Sequence, residues 1–416
     1  MKKIIYIIYS PPGWIKTPPL SLAYLKSYLE SKSVIVKILD LNIIFFKLLS
    51  FQKKEWLSLN KDFERNLFLN SYEKFKGLFL SIYKKLEESD YIGFSLTKRN
   101  LYFSLSFAKN IKKIYPNKKI IFGGPEVLFL NEKNKLKKDY IWVIGEGEKP
   151  LYEILAGEEK NIFYFDELKD LDTLPFIDFN CIPLDLYSGY IPILSSRGCP
   201  FGCKFCTERR LYKKFRQHSP EYVFDLINYL VKRYNKNNFI FCDSLINYNT
   251  KWLEDFCSLV VKNNLNIKWE AQIRITKNFS VELAKLLKKS GCFNLFIGLE
   301  SGSDKILKYM NKGFNTDTAI DFFKKLYKAG LHFEVSLILG FPNEEKKDFL
   351  ETIEFIRKNK KIIPKIAQIN PFVDYLDEFK NKINPLLVQK RLNYFMKFLE
   401  KEKIRYTKAF INNLVY

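Results

Sequence analysis

No stretch of this chain is apolar for long enough to cross a membrane. The longest runs, such as Leu41 to Phe51, are broken by Lys47, whereas a spanning helix needs roughly 20 apolar residues. A secretory leader is not read at the start either. Met1-Lys2-Lys3-Ile4-Ile5-Tyr6-Ile7-Ile8 is basic and then apolar, but Pro11, Pro12 and Gly13 follow at once with no small-residue cleavage site, so a buried first strand is expected there. A secreted disulfide framework is missing too. The cysteines number seven, an odd count, and three of them crowd between Cys199 and Cys206, which points to a reducing compartment and a cytoplasmic location. Cys181, Cys242, Cys257 and Cys292 stand alone in apolar surroundings and are assigned no role. There is no block of Lys and Arg of the kind that forms a basic arm, and no internal repeat.

What is present is a chain of 416 residues, 47% hydrophobic and 28% charged, with 38 Phe and 25 Tyr. That balance can bury large cores and excludes a disordered chain, and the length predicts two or three domains. Lys and Arg (69) exceed Asp and Glu (46), giving a net charge of +23. This would favour anionic partners, but the lysines are scattered through nearly every helical stretch, as in a general compositional bias. Nucleic acid is therefore not expected as a partner.

Along the first part, Ile4 to Tyr9, Val34 to Leu39, Tyr91 to Leu96, Lys119 to Gly123 and Ile141 to Ile144 read as continuously apolar strands. Leu20 to Glu30 and Leu101 to Tyr115 between them carry helical spacing. A doubly wound, Rossmann-like α/β domain over residues 1–157 follows. Residues 158–190 lose the rhythm and gain Pro175, Pro183 and several Asp, and read as a linker between domains. A second series then begins. Ile191 to Ser195, Phe239 to Asp243, Ile267 to Ile273, Leu295 to Leu299, Val335 to Leu339 and Ile366 to Ile369 read as six strands, separated by helices such as Glu221 to Tyr234 and Thr316 to Ala329. The expectation is a partial (β/α)6 TIM-type barrel over residues 191–372, with active groups at the strands' C-terminal ends. Residues 373–416 read as a short helical cap with one possible terminal strand.

The chemistry concentrates in Ser196-Arg197-Gly198-Cys199-Pro200-Phe201-Gly202-Cys203-Lys204-Phe205-Cys206, where C-x3-C-x2-C follows a barrel strand. Thiolates this close suit one soft metal centre. Three cysteines on a four-iron cluster leave one iron open to a reactant. The same spacing with His218 as a fourth ligand would instead make a structural zinc site, in a basic RNA-binding protein.

The triad Cys199, Cys203 and Cys206, with Phe205 before the last cysteine, resembles the signature of the radical S-adenosylmethionine (SAM) superfamily. The resemblance implies a [4Fe-4S] cluster on these three cysteines, whose open iron chelates SAM and cleaves it reductively to methionine and a 5'-deoxyadenosyl radical. It extends downstream. Phe239 to Asn247 resembles the family's second barrel strand, with Asp243 and Asn247 toward the cofactor. Trp269 to Arg274 resembles the third, where Gln272 and Arg274 would face the SAM carboxylate or the substrate. Gly298-Leu299-Glu300-Ser301-Gly302-Ser303 resembles the fourth strand and its turn, with Glu300 and Ser301 against SAM. Gly340-Phe341-Pro342-Asn343-Glu344 resembles the segment near adenine, with Asn343 in place of a glycine; Asn tolerates positive φ, so the turn is expected to survive.

The first domain resembles the cobalamin-binding domain that precedes the barrel in the B12-dependent class of these enzymes. The pointers are Tyr9-Ser10-Pro11-Pro12, Pro18 to Leu25, Gly123-Gly124-Pro125-Glu126 and Gly145-Glu146-Gly147-Glu148. The cobalt-ligating D-x-H-x-x-G motif is absent, and both histidines, His218 and His332, lie outside this domain. Cobalamin would then be held by its corrin and nucleotide tail against backbone at Gly123 and Gly124 and the loop around Thr97. What the resemblance implies is a cobalamin-dependent methyltransferase acting at an unactivated carbon. Cyclisation, rearrangement or oxidation without methyl transfer is the alternative reading. A small molecule or peptide is the expected substrate, with a one-electron reductant such as flavodoxin or ferredoxin as partner.

Overall fold

Ile4–Tyr9 is apolar throughout and forms β1, buried over its central residues. Around it the first unit builds one sheet with β2 (Ile35–Asp40), β3 (Tyr91–Ser95), β4 (Lys119–Gly123), β5 (Ile141–Ile144) and β6 (Ile162–Tyr164), in the order β2-β1-β3-β4-β5-β6. Each pairing is parallel. The order reverses between β1 and β3, which makes the carboxyl ends of those two strands the switch point where open α/β sheets receive ligands. Helices cover both faces. The helix Leu101–Ile114 turns Phe103, Phe107, Ala108 and Ile111 inward at helical spacing, and Phe45 meets Phe75, Phe79 and Phe103 with ring centroids 5.7–5.9 Å apart. The many phenylalanines are thus core material rather than surface, which is what apolar area of that size favours.

The computed structural model describes residues 3–49, 56, 61–164, 167–374, 378–379 and 384–407. The chain passes from the first compact unit to the second at Pro192 and Ile193. Residues 158–190, read as a linker from their composition, are folded onto the first unit. They supply β6, bury Leu171, Ile177 and Phe179, and attach through Asp178 N–H to Ser27 Oγ (2.8 Å), Ser188 Oγ to Lys16 O (2.6 Å) and Tyr187 OH to Asp40. Proline and aspartate gave this segment a loop's composition, yet spaced apolar residues between them were enough to anchor it.

The second unit is a parallel sheet of six strands in sequential order: β7 (Ile191–Ile193), β10 (Asn238–Phe241), β11 (Lys268–Ile273), β12 (Cys292–Glu300), β13 (Phe333–Leu339) and β14 (Ile366–Pro371). Each pair is joined by at least one helix, as right-handed β/α crossovers require. The helix Pro220–Tyr234 shows why such segments start and stop where they do. Ser219 Oγ accepts the Tyr222 N–H (3.1 Å), Pro220 occupies the first turn, and Asn235 ends the helix in a left-handed conformation at φ 49°. Along β11, Trp269, Ala271 and Ile273 are buried toward the helices, while Glu270 and Gln272 face the other way. Asn294 and Phe296 on β12, Glu334 and Ser336 on β13, and Gln368 and Asn370 on β14 continue that polar face through the register of the sheet. A polar inner face beneath six carboxyl ends is the platform for the site. The helix Pro385–Lys401 follows, and among the described residues after it Tyr406 makes a single bridge to Ile366. Residues 408–416, included in the expected cap, lie outside the described residues. No helix among the described residues is long and apolar enough to cross a membrane.

Candidate metal centre and its surroundings

After β7 the chain makes a short antiparallel neck, β8 (Ser196–Arg197) against β9 (Arg216–Gln217), and the loop between them carries all three motif cysteines. Gly198 opens this loop at φ 83°, where a Cβ would sit 2.6 Å from Lys214 O, so the neck closes only on glycine. Cys203 is buried, and Cys199 and Cys206 are half-buried. None of the seven cysteines forms a disulfide. The loop is pinned from across the unit by the segment after the helix Asp304–Tyr309: Lys204 N–H donates to Met310 O (3.0 Å), Asn311 Nδ2 donates to Gly202 O (2.9 Å) and Cys203 Sγ lies 3.7 Å from Asn311 O. Phe205 packs against an apolar cluster of Ile306, Met310, Ile338, Phe341 and Phe372. The aromatic residue of the motif is thus the anchor that holds the last cysteine in place.

Burial pushes the Cys199 thiol up and takes Cys206 to about 11, and charge on the neighbouring motif thiols raises both further. Cys199 and Cys206 therefore stay protonated at neutral pH until a metal displaces their protons. Among the described residues no three Cys, His, Asp or Glu side chains gather around one point to hold a single metal ion. His218 is buried with its ring stacked on Tyr222 at 4.1 Å, a packing role in place of the zinc ligand weighed from its spacing. A four-iron cluster takes its thiolates on separate irons, and three thiols carried on one loop suit that demand.

The other candidate residues divide into two groups. Arg274 comes directly to the cysteines: its Nη1 donates to Cys203 Sγ at 3.3 Å and its guanidinium lies 3.9 Å from the centroid of Phe201. Glu300 is buried at the end of β12 with φ 68°, where it accepts from Lys312 Nζ (3.3 Å) and Ser336 Oγ (3.2 Å). Gln272 is exposed on the inner face. The second group makes hydrogen bonds within the chain. Asn247 clasps the backbone of Arg274, accepting its N–H and donating to its C=O, both at 2.8 Å. Asp243 is wholly buried and accepts from Ser195 N–H (3.1 Å), Ser195 Oγ (2.7 Å) and Ser196 Oγ (2.5 Å), with burial raising its carboxyl to about 6. Ser301 Oγ meets Thr352 Oγ1 (3.2 Å) and caps Ser303 N–H (3.1 Å). Gly340 turns at φ 75° under Val388, and its N–H donates to Glu344 Oε2 (2.8 Å). Asn343 takes φ 69°, so the turn survives its replacement of glycine.

Lys312, Phe201 and Asn311 were not singled out from the sequence. Lys312 Nζ lies 5.6 Å from the rings of both Phe205 and Phe314 and bonds Glu300. It sits more than a hundred residues after the motif, so no local spacing could have tied it there.

In the first unit Leu96 N–H donates to Gly123 O (2.7 Å), and Gly124 turns at φ 96° with its Cα against the Leu96 backbone. Thr97 N–H and Oγ1 both donate to Asn100 Oδ1 (2.7 and 3.2 Å). Beside them, at the carboxyl end of β1, the hydroxyl of Ser10 is buried with no hydrogen-bond partner. A buried polar atom left unsatisfied at a switch point is a mark of a ligand site.

Residues 193–356 match the model of the radical SAM superfamily. The second unit is a radical SAM domain. Such a domain implies a [4Fe-4S] cluster and SAM, and Cys199, Cys203 and Cys206 stand at its cluster motif. The whole chain is 28% identical over 367 residues to an uncharacterised methyltransferase of Pyrococcus horikoshii, covering 82% of this chain and 73% of that one. It is 29% identical over 309 residues to the bacteriochlorophyllide d C-12(1)-methyltransferase of Chlorobaculum tepidum, covering 71% and 67%. In structure it superposes with a TM-score of 0.67 on the cobalamin-dependent S-adenosylmethionine radical enzyme OxsB, solved with aqua-cobalamin and SAM bound, at 19% identity. That match covers 96% of this chain and 56% of OxsB, so the chain spans little more than half of its length.

Proposed function

We propose that this chain is a cobalamin-dependent radical SAM methyltransferase that transfers a methyl group to an unactivated carbon of a small molecule or peptide. The observation that carries the reading is the cysteine loop: three mutually close thiols, closed by the β8–β9 neck, anchored by Phe205 and faced by the Arg274 cation. The cluster would supply the electron that cleaves SAM to a 5'-deoxyadenosyl radical, and cobalamin the methyl group that replaces the abstracted hydrogen. Cys199, Cys203 and Cys206 would hold the cluster, and the polar inner face with Gln272 and Glu300 would orient SAM and substrate beside it. The methyltransferase names of both relatives support methyl transfer. Cobalamin is supported by the OxsB likeness and by the switch point of the first unit, where Ser10 offers an unsatisfied hydroxyl and Gly123, Gly124 and Thr97 line the adjoining strand ends.

Anaerobic reconstitution with iron, sulfide and hydroxocobalamin, followed by desalting, tests both halves. Wild-type protein is expected to retain about four irons with cluster absorption and corrin bands, and Cys203→Ala to lose the iron while keeping the corrin. Iron without corrin would refute the cobalamin part alone and leave a radical reaction that needs no methyl carrier. Zinc without iron would overturn the whole reading.

A further inference from the structure

Arg274 is held with unusual firmness for an arginine at a strand end. Its backbone is gripped on both sides by the Asn247 carboxamide at 2.8 Å, Asn247 itself being buried. Its guanidinium carbon lies over the Phe201 ring, 3.9 Å from the centroid, and the Phe314 centroid is 5.9 Å from it on another segment. What this framework aims is one N–H of Nη1 at Cys203 Sγ, 3.3 Å away. The planar fork of arginine, stacked on a ring, loses little freedom in making such a bond. Asn247 is thereby explained: its contribution is the register of Arg274.

We propose that Arg274 is the positioning residue that sets the reduction potential of the cluster, through a charge-assisted N–H···S bond to the Cys203 thiolate. This rests on the cluster assignment above. Reduction adds one electron from an external donor to the oxidised cluster, with no proton taken up, so the reduced form carries one more negative charge. A cation bonded to a cluster sulfur stabilises that form more than the oxidised one, and hydrogen bonds to the sulfurs and net charge are the protein's means of tuning such centres. Arg274 therefore raises the potential and brings it within reach of a flavodoxin or ferredoxin-class donor. A role limited to gripping the SAM carboxylate would leave the SAM-free potential unmoved.

The test is a dithionite titration with redox mediators on the full chain, reconstituted with iron and sulfide and kept free of SAM. Cluster absorption and the electron paramagnetic resonance signal of the reduced form are followed in wild type, Arg274→Gln and Arg274→Lys. With iron content equal to wild type, Arg274→Gln is expected to hold about tenfold less reduced cluster at a fixed ambient potential, a midpoint lower by about 59 mV for a one-electron couple. Arg274→Lys keeps the charge and loses the fork and the stack, so it is expected to fall between the two. It also keeps the test open should the glutamine variant fail to fold. Equal midpoints in an iron-loaded variant overturn this inference and leave the cluster assignment standing. A wild-type protein that retains no iron overturns both.

Discussion

Asp243 lies wholly buried beside the neck of the cysteine loop, with Ser195 and Ser196 donating to its carboxylate. Replacing it by Asn puts an amide N–H where an acceptor is needed, and a buried donor left without a partner costs about 1–3 kcal/mol. Asp243→Asn is therefore expected to lower the unfolding free energy from a urea titration by that amount, moving the midpoint down, and to reduce iron loading as the neck loosens. An unchanged midpoint together with weakened SAM binding would show that Asp243 faces the cofactor instead. The same contrast explains what single residues revealed in the sequence. The cysteine motif stands out in the sequence because its three thiols lie close in the chain, on the one loop between β8 and β9. For Asp243, Asn247 and Ser301 the sequence does not reveal the partners Ser195, Arg274 and Thr352 to which their side chains turn, because these lie far away in the chain. Lys312 was invisible for the same reason.

At the scale of elements, most strands were legible because parallel strands covered on both faces read as continuous apolar runs. β6 was not, since Ile162–Tyr164 is three residues long inside a segment whose prolines and aspartates suggested a linker. Boundaries drifted where a polar inner face begins: β12 starts at Cys292, before the apolar run from Leu295. The turn after β4 separates a folding role from a binding role. At Gly124 a Cβ would come 2.6 Å from Leu96 O and 2.8 Å from Leu96 N, backbone atoms that cannot step aside, whereas at Gly123 it would meet only Val143 Cβ at 3.8 Å. Gly124→Ala is thus expected to cost about 1–3 kcal/mol through its positive φ alone, and more through the clash. Gly123→Ala should melt like wild type. If the Gly123 backbone lies against the corrin, that well-folded variant will retain less cobalamin after desalting. Full corrin retention by Gly123→Ala would remove Gly123 from the binding surface.

At the scale of the whole molecule, four buried carboxyls share one bias. Burial raises Asp40 and Asp243 from 3.8 to about 6, Glu344 from 4.5 to about 7 and Glu64 from 4.5 to about 8, in each case against hydrogen bonds that pull the other way. Below about pH 4 these groups are protonated in both the folded and the unfolded chain. As the pH rises, the unfolded chain releases its protons near the ordinary values while the folded chain still holds them. The folded state then binds more protons, and stability falls with pH until each folded value has been passed. The depressed carboxyls, Glu88, Asp348 and Glu402, act only on the acid side of 4.5 and leave this window alone. The protein is therefore expected to melt at a higher temperature at pH 5 than at pH 8. Glu64 titrates last, and its Oε1 accepts the amide N–H groups of Tyr102 and Phe103 at the start of the helix Leu101–Ile114. Glutamine keeps that acceptor and removes the titration, so Glu64→Gln is expected to make the decline shallower from about pH 4.5 to 8 and to remove most of it above pH 7, where the other three carboxyls have already ionised. Thermal midpoints of the two proteins at unit steps of pH decide the matter. Parallel profiles would mean that Glu64 ionises in the folded chain as readily as in the unfolded one, and that the helix start, with its unsatisfied N–H groups, supports the carboxylate better than burial opposes it.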